Sequence, residues 1–511
     1  MAKVVPYFIL LLGFIYFGLG PHFVPFYHFP LDDAWIHRVY SRSLSLGHGF
    51  AYSGMLEAGE TSPLWAIVTV PAEWIGILDK SLVVPSVKLL TLLFAFGCLW
   101  LLYGIFLQIS DKAKFAFLPP LLFALEPKFL FSIHSGMENI LVVFLWLVVT
   151  YLVTTGRWGL SAVFASLVPL ARPEGVLILA AWDVAILVFR KRFEYSLGVL
   201  VSYIVLSLIP SALWSTYCYS VNGHLLPNTF YAKASLNALT YGNMVATGEI
   251  FFQFGWSSSP VLVLIVVAWC IASFMPALKP VSYRLRPAVF FLALAPVVYI
   301  GAVAFTRPLD PRGYYWIRWL EPPILVLTGC FSIGVVHFIL MLLKWDESSK
   351  KGSILSGKVL AFCILAGLAI HIPSLAYSTI ERKWRLYTDS KATYEIAYKT
   401  GEWLSRNTSP DDEIGIIHAG AVGYLSGRKV YDIFGLNNHQ LLFKEMSYSD
   451  LLKRIEWIEA YPVVYNQLDR TRNFEPVISF GVSPEEYTIC PCPSQVRNFI
   501  YKKKQTLLQQ N

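Results

Sequence analysis

Long apolar segments alternate with short polar connectors through residues 4–377. An apolar run of about 18 residues predicts a helix that crosses a membrane. The predicted spans, some of them shorter than this, are eleven in number: 4–20, 83–109, 115–133, 137–155, 158–171, 174–190, 196–218, 258–277, 287–306, 319–343 and 356–377. A further apolar stretch, 64–78, is short and is interrupted by Pro71 and Glu73. The pattern predicts an α-helical polytopic membrane protein with about eleven transmembrane helices.

The basic residues of the connectors predict how the spans are oriented. Cytoplasmic loops of membrane proteins carry an excess of Lys and Arg. With eleven spans and a cytoplasmic N-terminus, the basic connectors all lie inside; they fall at 112–114, 157, 190–192, 279–286 and 344–358. Counting 64–78 as a twelfth span would put all of them outside, so this stretch is predicted to lie along the outer interface. The odd number of spans places the C-terminal region outside.

The chain divides into two predicted domains. Residues 1–378 form the transmembrane domain, which includes a first outer loop at 21–82 with its interfacial helices. Residues 379–511 are predicted to form a small extracytoplasmic α/β domain. Within it, 393–407 has helical periodicity, and 413–420 is a short apolar strand that runs into a turn of small residues.

Composition excludes several classes of protein. The 511 residues are 56% hydrophobic and only 14% charged, whereas soluble domains carry about 25% charged residues. A soluble multidomain enzyme, a disordered chain and a coiled coil are therefore excluded. The formal net charge of +8 is small for this length and belongs to the membrane connectors, so no nucleic-acid partner is expected.

Two adjacent acidic residues, Asp32 and Asp33, follow the first span at the start of a stretch with helical spacing. A single Asp would be explained as a helix cap. Two adjacent carboxylates repel each other, which favours a proton or cation role. One would take a proton from a substrate hydroxyl, while the other binds a divalent metal or orients the site. Spacing alone leaves both readings open, and it leaves His48, between two glycines, open as a loop residue or a ligand.

The first outer loop resembles that of a known class of enzymes. The run DDAWIHRVYSRSLSLGHGFAYS…ETSPLW resembles the first extracytoplasmic loop of GT-C class membrane glycosyltransferases. The nearest subgroup contains the terminal arabinofuranosyltransferases of actinobacterial cell walls; protein O-mannosyltransferases and lipid A aminoarabinose transferases are more distant. Further similar motifs follow in order: SGMEN at 135–139, ARPEG at 171–175, PNTFYAKA at 227–234 and HAGAVGYLSGRKVYDIFGLNN at 418–438. One departure, Ala58-Gly59-Glu60-Thr61 where relatives often have Glu-Gly-Tyr-Thr, leaves open whether Glu57 or Glu60 replaces the missing Glu.

The resemblance implies an inverting transfer of a sugar from a polyprenyl-phosphate donor to an extracytoplasmic glycan, lipid or protein. In such loops an acidic residue just after the first span is the catalytic base, here Asp32 or Asp33, with a preference for Asp33. A divalent metal, Mg²⁺ or Mn²⁺, held by the same two residues is an open alternative. The expected location is the inner membrane of a bacterium.

Charges on the predicted outer side supply the other candidate site residues. Arg318, Arg172 and Lys233 are predicted to bind the donor phosphate and to stabilise its charge as the sugar departs. Arg318 is favoured because its planar fork suits bidentate contact with phosphate. The predicted acceptor- or sugar-binding residues are His48, Glu60 and Glu138. Each of these charges also has a simpler reading as a cap, a local pair, a solvated loop residue or a snorkelling side chain.

Two other functions compete with the glycosyltransferase. A membrane transporter or flippase would explain the spans, but it predicts inverted repeats with helices broken at matching positions, and no such pairing is visible. A non-catalytic scaffold for envelope glycan assembly that keeps the fold is not separable by motif.

Overall fold

The computed structural model describes residues 2–110, 112–193, 197–233, 241–252, 288–306, 309–310, 314–348, 357–486 and 495–504. Most of these residues are helical, and a small sheet lies in the C-terminal part. The predicted span 258–277 and the basic connector 279–286 lie outside the described residues. The predicted fold class is confirmed.

The described residues of the membrane part are mostly helical. Up to the second predicted span the α-helices are α1 Val5–Gly18, α2 Val24–Tyr27, α3 Asp33–Ser45, α4 Pro63–Val68, α5 Val70–Leu78 and α6 Val83–Ile109. The next are α7 Leu118–Ala124, α8 Pro127–His134, α9 Asn139–Thr154, α10 Trp158–Ala171, α11 Gly175–Phe193, α12 Leu197–Asn222, α13 Asn228–Lys233 and α14 Tyr241–Phe252. They are followed by α15 Ala295–Thr306, α16 Tyr314–Ile317, α17 Glu321–Ser348 and α18 Gly357–Thr393.

The predicted spans that the structure describes all fall on these helices. Four helical segments are long and apolar enough to cross a membrane: Lys80–Ile109, Leu197–Asn222, Glu321–Leu343 and Ile364–Asn407. Two bent pairs, with angles of 100° and 64° between their halves, raise the number to six. Shorter apolar helices occupy the other described spans. The stretch 64–78 is two short helices that break at Thr69, and both pack on α3.

The first outer loop is organised around α3. Asp33 lies in the first turn of this helix, where a negative charge favours the helix dipole. Trp35, Val39 and Tyr40 of this helix are buried. A small hairpin follows, in which β1 Ala51–Tyr52 pairs with β2 Met55–Leu56 across a tight turn.

The C-terminal part is an α/β unit that grows directly out of the last membrane helix. α18 runs without interruption through the predicted domain boundary at 378–379 and continues through a π-helical turn, Tyr394–Tyr398, into α19 Lys399–Asn407. The remaining helices are α20 Ala421–Leu425, α21 His439–Leu442, α22 Tyr448–Arg454 and α23 Pro462–Leu468. The strands are β3 Glu413–Ile416, β4 Lys429–Asp432, β5 Trp457–Ala460, β6 Phe474–Gly481 and β7 Arg497–Lys503.

These five strands form one sheet in the order β4-β3-β5-β7-β6. β3 is parallel to β4 and β5, whereas β7 is antiparallel to β5 and β6. The carboxyl ends of the three parallel strands therefore meet at one edge of the sheet. That edge faces the first outer loop, because the hairpin and α3 form hydrogen bonds with residues 419–437.

Candidate active site

A cavity lies beside the start of α3 and is built from segments that are far apart in the sequence. It is lined by Asp33, Ile36, His37, Gly59, Glu60, Thr61, Met137, Glu138, Arg172, Pro173, Glu174, Thr229, Lys233, Arg318 and Trp319. Eight of these lining residues carry an ionisable Asp, Glu, His, Lys or Arg side chain. The structure therefore brings most of the predicted outer charges together.

Asp33 is the carboxylate that faces two cations. Its Oδ2 accepts a hydrogen bond from Nη2 of Arg318 and lies 3.7 Å from Nζ of Lys233. Burial alone would raise the pKa of Asp33, but the charges of Arg318, Lys233 and His37 outweigh it and lower the pKa to about 2. Asp33 is therefore ionised and held inside an ion-pair cluster.

Asp32 is engaged elsewhere. Its two carboxylate oxygens accept hydrogen bonds from the backbone N–H groups of Gly420, at 2.9 Å, and Ala421, at 2.7 Å. Consecutive residues of a helix do not face the same way, which is why these neighbours have different partners. Burial raises the pKa of Asp32, and the neighbouring Asp33 charge adds to the rise, although His418 and the two N–H groups oppose it.

His37 lies one helical turn after Asp33 and joins two buried glutamates. Its Nδ1 is 2.9 Å from Oε1 of Glu60, and its Nε2 is 3.4 Å from Oε2 of Glu138. Burial opposes its charge, but the two carboxylates outweigh burial and raise the pKa of His37 to about 9. At neutral pH the imidazole is a cation at the wall of the cavity.

Arg172 is held by residues at the start of the neighbouring helix. Its Nη1 donates to Oε1 of Glu138 at 2.8 Å and to Oδ1 of Asn139 at 2.7 Å, and its Nε is 3.4 Å from Glu174. Arg172 is buried, so these contacts compensate a charge that would otherwise be costly. The guanidinium is therefore already bound by protein acceptors and supports the wall of the cavity.

Arg318 and Lys233 are the cations that combine access to the cavity with contact to Asp33. Nη1 of Arg318 donates to the backbone oxygen of Tyr315, and the guanidinium lies 3.9 Å from the centre of the Tyr315 ring. Lys233 is at the end of α13, and 21% of its side chain is exposed. Arg318 is therefore held rigidly, whereas Lys233 is more accessible.

Two polar atoms in the cavity have neither a hydrogen-bond partner nor an ion-pair contact among the described residues. They are Oε2 of Glu60 and Oγ1 of Thr229, and both are buried. Buried polar atoms normally have partners, so these are candidate contacts for ligand hydroxyl groups. The other glutamate considered from the sequence, Glu57, is bound instead to Nδ2 of Asn228 at 3.1 Å and Nδ1 of His439 at 3.0 Å.

His48 is placed away from this group. It is exposed in the loop after α3, where its N–H donates to the oxygen of Ser43. It is not one of the side chains that line the cavity. Its assignment to sugar binding stays a sequence prediction without support from the geometry.

Asp32 and Asp33 do not fit a shared divalent metal. One carboxylate caps a short helix and the other faces the cations Arg318 and Lys233, which would repel a second positive ion. Among the described residues no group of three or more His, Cys, Asp or Glu side chains has the arrangement of a metal site.

Sequence reasoning missed His37 and Thr229, and it considered Glu174 only as a local partner of Arg172. The spacing of His37, four residues after Asp33, places both on one helix face and was the available signal. Thr229 and Glu174 lie inside the similar motifs PNTFYAKA and ARPEG, but a motif does not tell which of its side chains reach a cavity.

Comparisons with solved structures identify the class to which this fold belongs. ArnT from Cupriavidus metallidurans bound to undecaprenyl phosphate superposes with a TM-score of 0.61 at 13% identity, over 98% of each chain. The archaeal oligosaccharyltransferase AglB from Archaeoglobus fulgidus, in complex with an inhibitory peptide and a dolichol-phosphate, gives 0.52 at 12% identity over 99% of this chain and 74% of AglB. An oligosaccharyltransferase of Archaeoglobus fulgidus in complex with Zn and sulfate gives a TM-score of 0.56 at 12% identity, over 99% of this chain and 73% of that one. The chain therefore shares the fold of these GT-C membrane proteins.

The other comparisons are narrower. Residues 383–499 match the model of a family described as a domain of unknown function (DUF8728). None of the curated proteins matches the sequence. The likeness to ArnT and AglB concerns the GT-C class and does not distinguish the arabinofuranosyltransferase-like subgroup.

Proposed function

We propose that the chain is a membrane glycosyltransferase that moves a sugar from a polyprenyl-phosphate donor to an acceptor outside the membrane. The observation that carries this proposal is the Asp33 carboxylate in a cavity beside Arg318 and Lys233. A carboxylate can accept the proton of an attacking hydroxyl. Two cations can bind the donor phosphate and stabilise the charge that it gains.

Both cations contact Asp33, so a donor phosphate that binds them competes with this carboxylate. Phosphate binding to Arg318 and Lys233 would neutralise the charges that lower the pKa of Asp33 to about 2. The pKa of Asp33 then rises, because burial alone raises it. Donor binding therefore makes Asp33 a stronger base at the moment when a base is needed.

The reaction is a single displacement at the anomeric carbon. The acceptor oxygen forms a bond to this carbon while the bond from the carbon to the phosphate oxygen breaks. The acceptor proton passes to Asp33, and the bonding electron pair leaves with polyprenyl phosphate, which gains one negative charge beside Arg318 and Lys233. Attack opposite the departing phosphate inverts the anomeric configuration.

The remaining cavity residues position the sugar. Oε2 of Glu60 and Oγ1 of Thr229 lack partners among the described residues and suit sugar hydroxyl groups. The buried set of His37, Glu138 and Arg172 forms a rigid polar wall. Such preorganised groups hold reactants in the geometry of reaction without further reorganisation.

The lipid-linked donor is supported by the proteins that share the fold, since ArnT was solved with undecaprenyl phosphate and AglB with a dolichol-phosphate. The choice of an arabinofuranosyltransferase-like enzyme, and of a pentosyl or hexosyl group, rests on sequence resemblance. The proposed arrangement has a cytoplasmic N-terminus, an extracytoplasmic C-terminal domain, and a location in a bacterial inner membrane.

The test is transfer by the purified chain in proteoliposomes that contain radiolabelled polyprenyl-phosphate pentoses and hexoses. A glycosyltransferase releases polyprenyl phosphate and labels an added extract of envelope glycans. A flippase would move the intact labelled lipid across the bilayer without breaking the sugar–phosphate bond. Movement without cleavage, with every donor in the panel, would refute the proposal in favour of the transport alternative.

A further inference from the structure

The carboxyl edge of the parallel strands in the C-terminal sheet is covered by the first outer loop. In open α/β sheets this edge is where ligands bind. Here the hydroxyl of Tyr52 donates to the backbone oxygen of Ala419 at 2.7 Å, and Nη1 of Arg42 donates to that of Tyr424 at 2.6 Å. The edge is therefore occupied by another part of the same chain.

Asp32 is at the centre of this contact. Its carboxylate accepts hydrogen bonds from the N–H groups of Gly420, the N-cap of α20, and Ala421, the first residue of that helix. A Cβ atom on Gly420 would lie 2.0 Å from the backbone oxygen of Asp32. Only glycine lets the two backbones approach so closely, so the sequence at 420 is matched to this contact.

Gly59, in the first outer loop, also leaves no room for a Cβ atom. A Cβ atom on Gly59 would lie 2.5 Å from both the Tyr40 hydroxyl and the backbone oxygen of Leu436. The Tyr40 hydroxyl itself donates to Oδ1 of Asn437 at 2.9 Å. The C-terminal unit and the first outer loop therefore each have a glycine where their backbones approach closely.

Hydrogen bonds of His418 and Glu459 hold the turn that meets Asp32. Nδ1 of His418 is 2.5 Å from Oε1 of Glu459, and its Nε2 is 2.7 Å from the hydroxyl of Tyr461. Oε2 of Glu459 accepts the N–H groups of Ile417 at 2.7 Å and His418 at 3.1 Å. These bonds fix the backbone that presents Gly420 to Asp32.

We infer that the C-terminal unit is a positioning element for the active site, and that Asp32 is the residue through which it acts. Asp32 immediately precedes Asp33, so fixing its carboxylate fixes the first turn of α3 and the direction in which Asp33 enters the cavity. The inference rests on the proposed role of Asp33. The segment 383–499, which matches the domain of unknown function, would thus have a positioning role. The carboxyl edge of its parallel strands docks onto the first outer loop of the same chain.

Hydrogen–deuterium exchange of the full chain in nanodiscs tests the docking directly. Asp32→Ala removes the acceptor, and Gly420→Ala pushes the two backbones apart without touching the cavity. Each is expected to speed exchange of the backbone amides in 417–425 by about tenfold or more, the effect of losing bonds to a charged acceptor. The controls are Gly159→Ala, where a Cβ meets no atom within 4 Å, and the exposed Asp411→Asn. Unchanged exchange in both test variants would overturn the docking.

Kinetics of sugar transfer test the positioning. Both variants are expected to lower kcat by about tenfold or more, by misplacing the base, with little change in the KM for the donor. Misplacing Asp33 moves it away from Arg318 and Lys233, whose charges lower its pKa. The acid limb of the kcat/KM profile against pH is therefore expected to move to higher pH. A structural change that leaves these contacts intact would not move the acid limb.

Two results would overturn the positioning role. One is a kcat and acid limb equal to those of the wild-type chain in both variants. The other is a loss in Asp32→Ala as complete as in Asp33→Asn, with no loss in Gly420→Ala, which would make Asp32 the base. If the wild-type chain transfers no sugar, the proposed function fails, and the exchange experiment still decides the docking.

Discussion

Arg318 donates a hydrogen bond to the carboxylate of Asp33, although 285 positions separate the two residues in the sequence. The pair joins the first outer loop to the segment before α17. It places a proton acceptor and a phosphate-binding group at one cavity, and this is the arrangement on which the proposed transfer depends.

Arg318→Ala is expected to weaken binding of polyprenyl phosphate by about 10- to 100-fold, the effect of losing charge-assisted hydrogen bonds worth about 1.5–3 kcal/mol. Arg318→Lys keeps the charge but loses the fork, so an intermediate affinity is expected. Calorimetric titration of the nanodisc-embedded protein with polyprenyl phosphate measures both. The matched control is Arg406→Ala, since that side chain is 75% exposed. Wild-type affinity in Arg318→Ala would refute the assignment.

His37 is expected to make folding stability depend on pH. Its pKa is raised from 6.5 to about 9 in the folded chain, so its contribution is fully present below pH 6.5 and is lost as the pH rises through 9. His37→Gln removes it. Thermal unfolding should therefore show a difference between wild type and His37→Gln that is largest below pH 6.5 and shrinks above pH 9. The exposed His48→Gln is the control, and a difference that does not vary with pH would contradict the ion-pair geometry.

Glu138→Gln is expected to destabilise the chain by about 3 kcal/mol or more, because it leaves the buried Arg172 without its closest charged partner. Denaturant unfolding in detergent micelles measures the loss. Glu402→Gln changes an exposed pair with Arg406 and should cost less than about 0.5 kcal/mol. Equal small effects in both variants would mean that Asn139 and Glu174 compensate Arg172 by themselves.

The proposed orientation of the chain predicts which side of the membrane each exposed residue occupies. In a variant with its native cysteines replaced, Asp411→Cys is expected to react with a membrane-impermeant maleimide added outside intact cells. Arg157→Cys, in a predicted cytoplasmic connector, should react only after permeabilisation. Labelling in the opposite order would overturn the eleven-span topology and the outer location of the site.

Apolar run lengths predicted the helices well, since each predicted span in the described residues falls on a helix. The run lengths did not predict the sharp bends after α1 and α7, because hydropathy does not encode the direction of a helix. They also did not predict that α18 would continue through the domain boundary. The outer charges were predicted to gather, and Asp33, Glu60, Glu138, Arg172, Lys233 and Arg318 line one cavity.

The different tasks of Asp32 and Asp33 could not be predicted from the sequence. Both are acidic, and they are adjacent in the sequence. Their different partners, Gly420 for Asp32 and Arg318 for Asp33, are hundreds of positions away. His37 was within reach of helical spacing, whereas the partners that raise its pKa, Glu60 and Glu138, are placed by tertiary packing alone. The pairing of charged residues in this site is therefore determined by tertiary structure and not by the local sequence.

The most direct test of the account is the release of polyprenyl phosphate from a labelled polyprenyl-phosphate sugar by Asp33→Asn. This substitution keeps the shape of the side chain and removes the base, so a loss of about 100-fold or more in kcat is expected, with the exposed Asp411→Asn at the wild-type rate. Asp33→Asn that releases polyprenyl phosphate as fast as the wild-type chain would contradict the central claim.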